Sequence, residues 1–232
     1  MLRIISGIGD PMNWYKKSNW IENITPELLA WKNQFSHSQI MTALAMQHIM
    51  QVGMNSQTSD FHYPTMPYFY LTHGKLYESA ELTPEEQEKI ESLYSIFKRG
   101  EVKECFYSSQ LLMLHDNDFK YVEGYAGTFF RNHGWNSLNG KVIDITPSHL
   151  TNDQPVYGVI PNGIEYFGVE MPKGRVQEVV FGHGQGHSLI DNDLNNFEML
   201  QEDFNIDYEW DGEVSPHAFE DNDDDEKDYW ND

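Results

Sequence analysis

Apolar positions along the chain follow a helical period in the first half and a strand period in the second. In TPELLAWKNQFSHSQIMTALAMQHIMQVG, residues Leu28, Leu29, Trp31, Phe35, Ile40, Leu44, Ile49 and Met50 form a broad apolar side. Thr25 can cap, Pro26 suits the first helical position and Gly53 a terminus, so a long helix over 25–53 is predicted, with a break near Ser36–Ser38. The next stretch, DFHYPTMPYFYLTHGK, mixes two prolines with five aromatics and reads as an irregular packed connection. In LTPEEQEKIESLYSIFKRG a second helix is signalled by Thr83 as cap, Pro84 at the first position and Glu86 completing a capping box. Its buried stripe is Ile90, Leu93, Tyr94 and Phe97, and Gly100 ends it. ECFYSSQLLMLHD predicts a third, short helix, apolar on several sides and therefore central.

Beyond it the period falls to two. FKYVEGYAGTFF, HGWNSL, KVIDIT and IEYFGVEM read as strands. Helices first and an antiparallel sheet after predict an α+β fold. Within it, Asn139–Gly140 is a strong signal for a two-residue turn, because both central positions of a type I′ turn need positive φ. With that turn, Leu138 faces Lys141, Trp135 faces Asp144 and His133 faces Thr146. His133, Trp135, Asp144 and Thr146 then project from one face, and His133 and Asp144 become diagonal neighbours. A carboxylate so placed accepts the imidazole N–H, fixes the tautomer and raises the ring's basicity. Without a nucleophile, such a pair is as ordinary as any polar pair on a sheet.

The nucleophile is supplied by composition. The chain has 232 residues and one cysteine, Cys105, so it holds neither an internal disulfide nor a multi-cysteine zinc site. Cys105 follows the polar run RGEVKE and falls at the start of its predicted helix. There the helix's positive end and the free first-turn amides favour thiolate and offer oxyanion donors.

Charge narrows the partners. Net charge is −22; residues 201–232 carry fourteen acids and one base (−13), leaving −9 for residues 1–200. Such a surface repels phosphate backbones, so no direct nucleic-acid binding is expected. The reading is one globular domain over 1–200 followed by an acidic, disordered tail over 201–232. No signal peptide or membrane-length apolar run is seen, and a cytoplasmic protein is expected. FGHGQGHSLIDND spaces His183, His187 and Asp191 four apart, as in a helical metal ladder, but Gly182, Gly184 and Gly186 oppose a helix. The expectation is a loop or flap, with no metal.

A cysteine opening a helix, then His-small-Trp on one strand and an aspartate on the next, resembles the transglutaminase-like core of the papain-like cysteine superfamily. The carrying segments are ECFYSS, NHGWN and KVIDIT, within about residues 100–170, and YVEGYA resembles small bacterial and bacteriophage members. Gly134 stands where alanine is common in that group. The resemblance implies a papain-like core with the Cys-bearing helix packed on the antiparallel sheet. It also implies Cys105 as thiolate nucleophile, His133 as general base, Asp144 as the holder of the imidazole and Trp135 as a substrate-binding residue. No cofactor is implied. The implied reaction is acyl transfer through a thioester: hydrolysis of a peptide, isopeptide or other amide, or glutamine deamidation. A protein or amide substrate is expected. The alternative of a different class is an inactive binding protein on the same scaffold, engaging a basic partner through its acidic surface.

Overall fold

The computed structural model describes residues 37–53, 61–94, 104–127, 131–146, 154–182, 187–191 and 198–212. The elements are α1 (Gln39–Gly53), α2 (Met66–His73), β1 (Lys75–Leu76), α3 (Pro84–Tyr94), α4 (Cys105–His115), β2 (Phe119–Ala126), β3 (Arg131–Leu138), β4 (Lys141–Asp144), β5 (Val156–Tyr157), β6 (Tyr166–Glu170), α5 (Lys173–Gln177) and α6 (Glu198–Gln201). The fold is α+β: one six-stranded sheet in the order β1-β6-β2-β3-β4-β5, every pair antiparallel.

Alternation along the strands gives the sheet two distinct faces. Phe119, Tyr121, Tyr125, Leu138, Ile143, Phe167 and Val169 belong to clusters shared with the helices, among them Ile40 and Leu44 of α1, Phe69 and Tyr70 of α2 and Leu112 and Met113 of α4. On the opposite face Val122, Ala126, Trp135, Val142, Val156 and Tyr166 form a separate cluster with Tyr77. α4 is stitched to β3 by polar bonds as well as apolar packing. Ser109 Oγ donates to the Gly134 carbonyl at 3.1 Å, and Asn136 Nδ2 donates to the Ser109 carbonyl at 2.8 Å.

Local signals explain where the helices begin. α1 starts at Gln39, just after the expected break. The Glu165 carboxylate, arriving from the segment before β6, accepts from Ser38 Oγ (2.8 Å), Gln39 N (3.1 Å) and Ile40 N (3.0 Å). Residues 25–36 of the predicted helix lie outside the described residues, as do Gly100 and Phe97 of the second. The capping box of α3 forms, with Thr83 N donating to Glu86 Oε2 at 2.7 Å and Glu86 N to Thr83 Oγ1 at 3.3 Å.

Two expectations are corrected. The proline- and aromatic-rich stretch contains α2 rather than an irregular connection throughout. Thr65 Oγ1 caps it by accepting from Tyr68 N at 3.1 Å, and Pro67 falls in the first turn, where its missing N–H costs nothing. The domain also continues past residue 200. Phe204 stacks edge-on to Phe69 at 5.5 Å, Tyr208 lies under the Arg175 guanidinium at 3.8 Å and Trp210 stacks on Phe181 at 6.3 Å. These aromatics anchor 198–212 to the body despite the acids between them. Residues 213–232 lie outside the described residues.

Candidate active site

The site begins with the turn. Asn139 and Gly140 have φ of 51° and 80°, the pair of positive values a type I′ turn requires. The register they set is Asn136↔Ile143, Ser137↔Val142 and Leu138↔Lys141, as the sequence predicts. Continued along the hairpin, it brings His133 and Asp144 together on the face that carries Trp135 and Tyr166. His133 Nε2 and Asp144 Oδ2 are 2.7 Å apart, with side chains 12% and 1% exposed.

Asp144 is held on every side. Its Oδ2 also accepts from the Tyr166 hydroxyl at 2.8 Å, and Oδ1 accepts from Thr146 N at 3.1 Å. Tyr166 was not marked by the sequence. Its strand was legible, but nothing local shows that β6 lies beside β2 rather than at the end of the sheet. Burial, then the neighbouring Asp144, raise the Tyr166 pKa well above the ordinary phenol value, so it stays a hydroxyl donor.

Cys105 opens α4 and is partly exposed. Its thiol is close enough to the His133 side chain to act on the ring's pKa. With Nε2 taken by Asp144, Nδ1 is the ring nitrogen left to exchange protons. Gly134 explains how the helix start comes so close. A Cβ built there would stand 3.0 Å from Phe106 Cδ1, 3.1 Å from Phe106 Cα and 3.2 Å from the Cys105 carbonyl oxygen. The missing side chain lets the first turn of α4 seat directly on β3, one residue from the imidazole.

The charge state follows from the surroundings. Burial acts to lower the His133 pKa, but the Asp144 charge, its hydrogen bond and the Cys105 sulfur outweigh it and raise the value to about 10. The ring is an imidazolium at neutral pH, bonded through Nε2 to a buried carboxylate. Glu104, the N-cap of α4, makes no side-chain capping bond, and Ser108 N is the first amide bonded back into the helix, to the Glu104 carbonyl at 2.9 Å. The first-turn amides of a helix have no partner within the helix, so those of Cys105, Phe106 and Tyr107 are placed to receive developing negative charge beside the sulfur.

Trp135 does not stand where a substrate-binding residue would. It is fully buried on the same face as His133, its ring 6.2 Å from the imidazole at an interplanar angle of 19°, with Tyr77 and Tyr166 edge-on at 5.8 and 5.2 Å. Its far edge fills the space over Gly168, where a Cβ would come 2.5 Å from Cη2. It backs the imidazole and has no surface to offer a substrate.

A second buried cluster lies on the α4 face. Glu123 pairs with Gly134 across the strands and is fully buried. Its carboxylate accepts from the Tyr121 hydroxyl (3.0 Å), Leu189 N (2.8 Å), Ile190 N (3.2 Å) and the Ser188 hydroxyl, and burial pushes its pKa up. Gln110 Nε2 of α4 donates to the His187 carbonyl at 2.6 Å. Together they bind 187–191 to the helix and the sheet. The period-two pattern placed Glu123 on a strand but could not mark a carboxylate that would be buried. His183, one of the two candidate metal-ligating histidines, lies outside the described residues. Among the described residues no group of three His, Cys, Asp or Glu could hold a metal ion.

Two grooves formed by described residues, of about 610 and 290 Å³, open elsewhere, at α3–β5 and around Arg175. Segments 95–103, 128–130 and 147–153, which border the three site residues in sequence, lie outside the described residues. No helix among the described residues is long and apolar enough to cross a membrane. Comparison of the chain with protein families, with curated proteins and with solved structures found no match.

Proposed function

We propose that the chain is a thiol-dependent acyl-transfer enzyme with a transglutaminase-like, papain-like core, in which Cys105 is the nucleophile, His133 the proton carrier and Asp144 its anchor. One observation carries this reading: the imidazole of the residue next to Gly134, against which the Cys105 end of α4 is seated, is bonded through Nε2 to a buried carboxylate at 2.7 Å. A cysteine at a helix start seated on the strand that carries the histidine, with the aspartate on the neighbouring antiparallel strand, supports the fold part of the reading.

In the proposed reaction the Cys105 thiolate attacks an amide carbonyl carbon, forming a C–S bond while first-turn amides of α4 stabilise the oxyanion. The C–N bond then breaks, and its nitrogen takes a proton from His133 Nδ1. Water gives a proton back to Nδ1 and adds to the thioester carbon. The C–S bond breaks, releasing a carboxylic acid and restoring the thiolate–imidazolium pair. Asp144 keeps Nε2–H engaged throughout, so only Nδ1 exchanges protons. Water is the default acceptor, and side chains and water supply every group the cycle needs. The substrate class is a peptide, isopeptide or glutamine-side-chain amide.

An active ester tests this. Mixed with p-nitrophenyl acetate, the full chain should release about one equivalent of nitrophenol per thiol in a burst, and intact mass should show acetyl on Cys105. Cys105→Ala should abolish both. No burst, or a burst that survives the substitution, rejects the enzyme reading and leaves a scaffold.

A further inference from the structure

We propose that the groove between α3 and β5 docks a cationic segment of a partner protein that carries an aliphatic anchor. The groove is formed by Glu81, Leu82, Gln87, Ile90, Glu91, Tyr157 and Val159 and encloses about 610 Å³. Leu82, Ile90 and Tyr157 make its floor and pack with Leu112, Phe119 and Ile143 beneath. Val159 is 56% exposed, an aliphatic side chain left in water where a partner's apolar residue would cover it.

Charge selects the partner. Of the charged residues in α3, four are glutamates and one is Lys89. Lys89 is already held by Asp116 at 2.9 Å and by Asp118. Lys141, beside the same helix, is held by Glu86 at 2.6 Å, and hydrogen bonds from Lys141 and Asn139 lower the Glu86 pKa to about 2. Among the described residues both nearby cations are thus neutralised, and none lines the groove to offset Glu81 and Glu91. An aliphatic side chain fits the floor, while lysine or arginine on either side of it meets the rim. The net charge of −22 adds long-range attraction for such a segment and repels acidic or phosphate-bearing chains.

The groove is remote from the thiol. It backs onto Leu112, seven residues along α4 from Cys105, about 10 Å at the helical rise. Docking there leaves Cys105 accessible, and the proposal stands whether or not the chain is an enzyme.

The test uses the full chain and three labelled peptides read by fluorescence anisotropy. One has a leucine flanked by lysines, one replaces the leucine with serine, and one replaces the lysines with glutamates. Residues 213–232 attract the first two peptides by charge alone, so the leucine-against-serine difference isolates the groove. The expected result is at least fivefold tighter binding of the lysine–leucine peptide than of the serine peptide. Glu81→Lys with Glu91→Lys should weaken it about tenfold and let the glutamate peptide bind. Val159→Ser, at an exposed position that does not threaten folding, should reduce the leucine preference. Equal affinities for the leucine and serine peptides, or binding unchanged within twofold in the charge-reversed protein, overturns the proposal.

Discussion

Asp144→Asn removes one charge from the buried pair at almost no change of shape, and its effect can be sized from the surroundings. The His133 pKa is about 10 in the folded protein, against an ordinary value of 6.5. That difference of about 3.5 units, at about 1.4 kcal/mol each, sets an upper bound near 5 kcal/mol. Loss of one partner of a buried pair costs about 3–5 kcal/mol in general, in agreement. The sign follows from the raised pKa: the stabilisation is complete below about pH 6.5 and is lost as pH rises through 10. In the variant, burial acts on the ring without the carboxylate, so the His133 pKa should fall from 10 toward or below the ordinary value. The assay is urea unfolding of both proteins at pH 7, 8, 9 and 10, with the imidazole followed by NMR. At pH 7 the wild type should be more stable by about 3–5 kcal/mol, and the gap should contract by roughly 3 kcal/mol by pH 10. Other groups titrating in this window appear in both proteins and cancel. A gap that stays constant from pH 7 to 10 refutes the imidazolium–carboxylate pair.

Three more substitutions separate parts of the site. Gly134→Ala forces a Cβ to within 3.0–3.2 Å of the start of α4, so it should cost about 1–3 kcal/mol in thermal unfolding and slow alkylation of Cys105 by shifting the thiol from the imidazole. Gly140→Ala meets nothing within 4 Å but keeps a φ of 80°; it should cost about 1 kcal/mol, with no change in thiol reactivity. Tyr166→Phe removes the hydroxyl that Asp144 accepts at 2.8 Å and should cost about 1–3 kcal/mol, while the alkaline loss of stability attributed to His133 persists. Equal effects of the two glycine substitutions on alkylation would contradict the role given to Gly134.

The parts of this molecule that were legible in the sequence are those fixed by local chemistry. Asn139–Gly140 set the hairpin register, and the register alone brought His133 to Asp144. Thr83 and Glu86 announced the start of α3. What escaped depends on pairings distant in sequence. That β6 lies against β2 puts Tyr166 beside Asp144, and no pattern in either strand encodes that choice. Glu165 caps a helix more than a hundred residues away, and Glu123 turns a loop near residue 189 into a packed wall. Trp135 was placed on the correct face, but whether that face is open or filled depends on Tyr77, Tyr166 and the bare backbone at Gly168. Acid-rich composition concealed the ordered segment up to residue 212, because a few aromatics suffice to anchor it.

The most direct measurement is the rate at which iodoacetamide alkylates Cys105 at pH 7, compared between the folded protein, the same chain in denaturant and folded His133→Gln. A sulfur paired with an imidazolium should react several-fold faster in the folded protein than in the unfolded chain. His133→Gln should bring the folded rate down to the unfolded value or below. A folded thiol that reacts no faster than the unfolded one, at a rate unmoved by the loss of His133, contradicts the account.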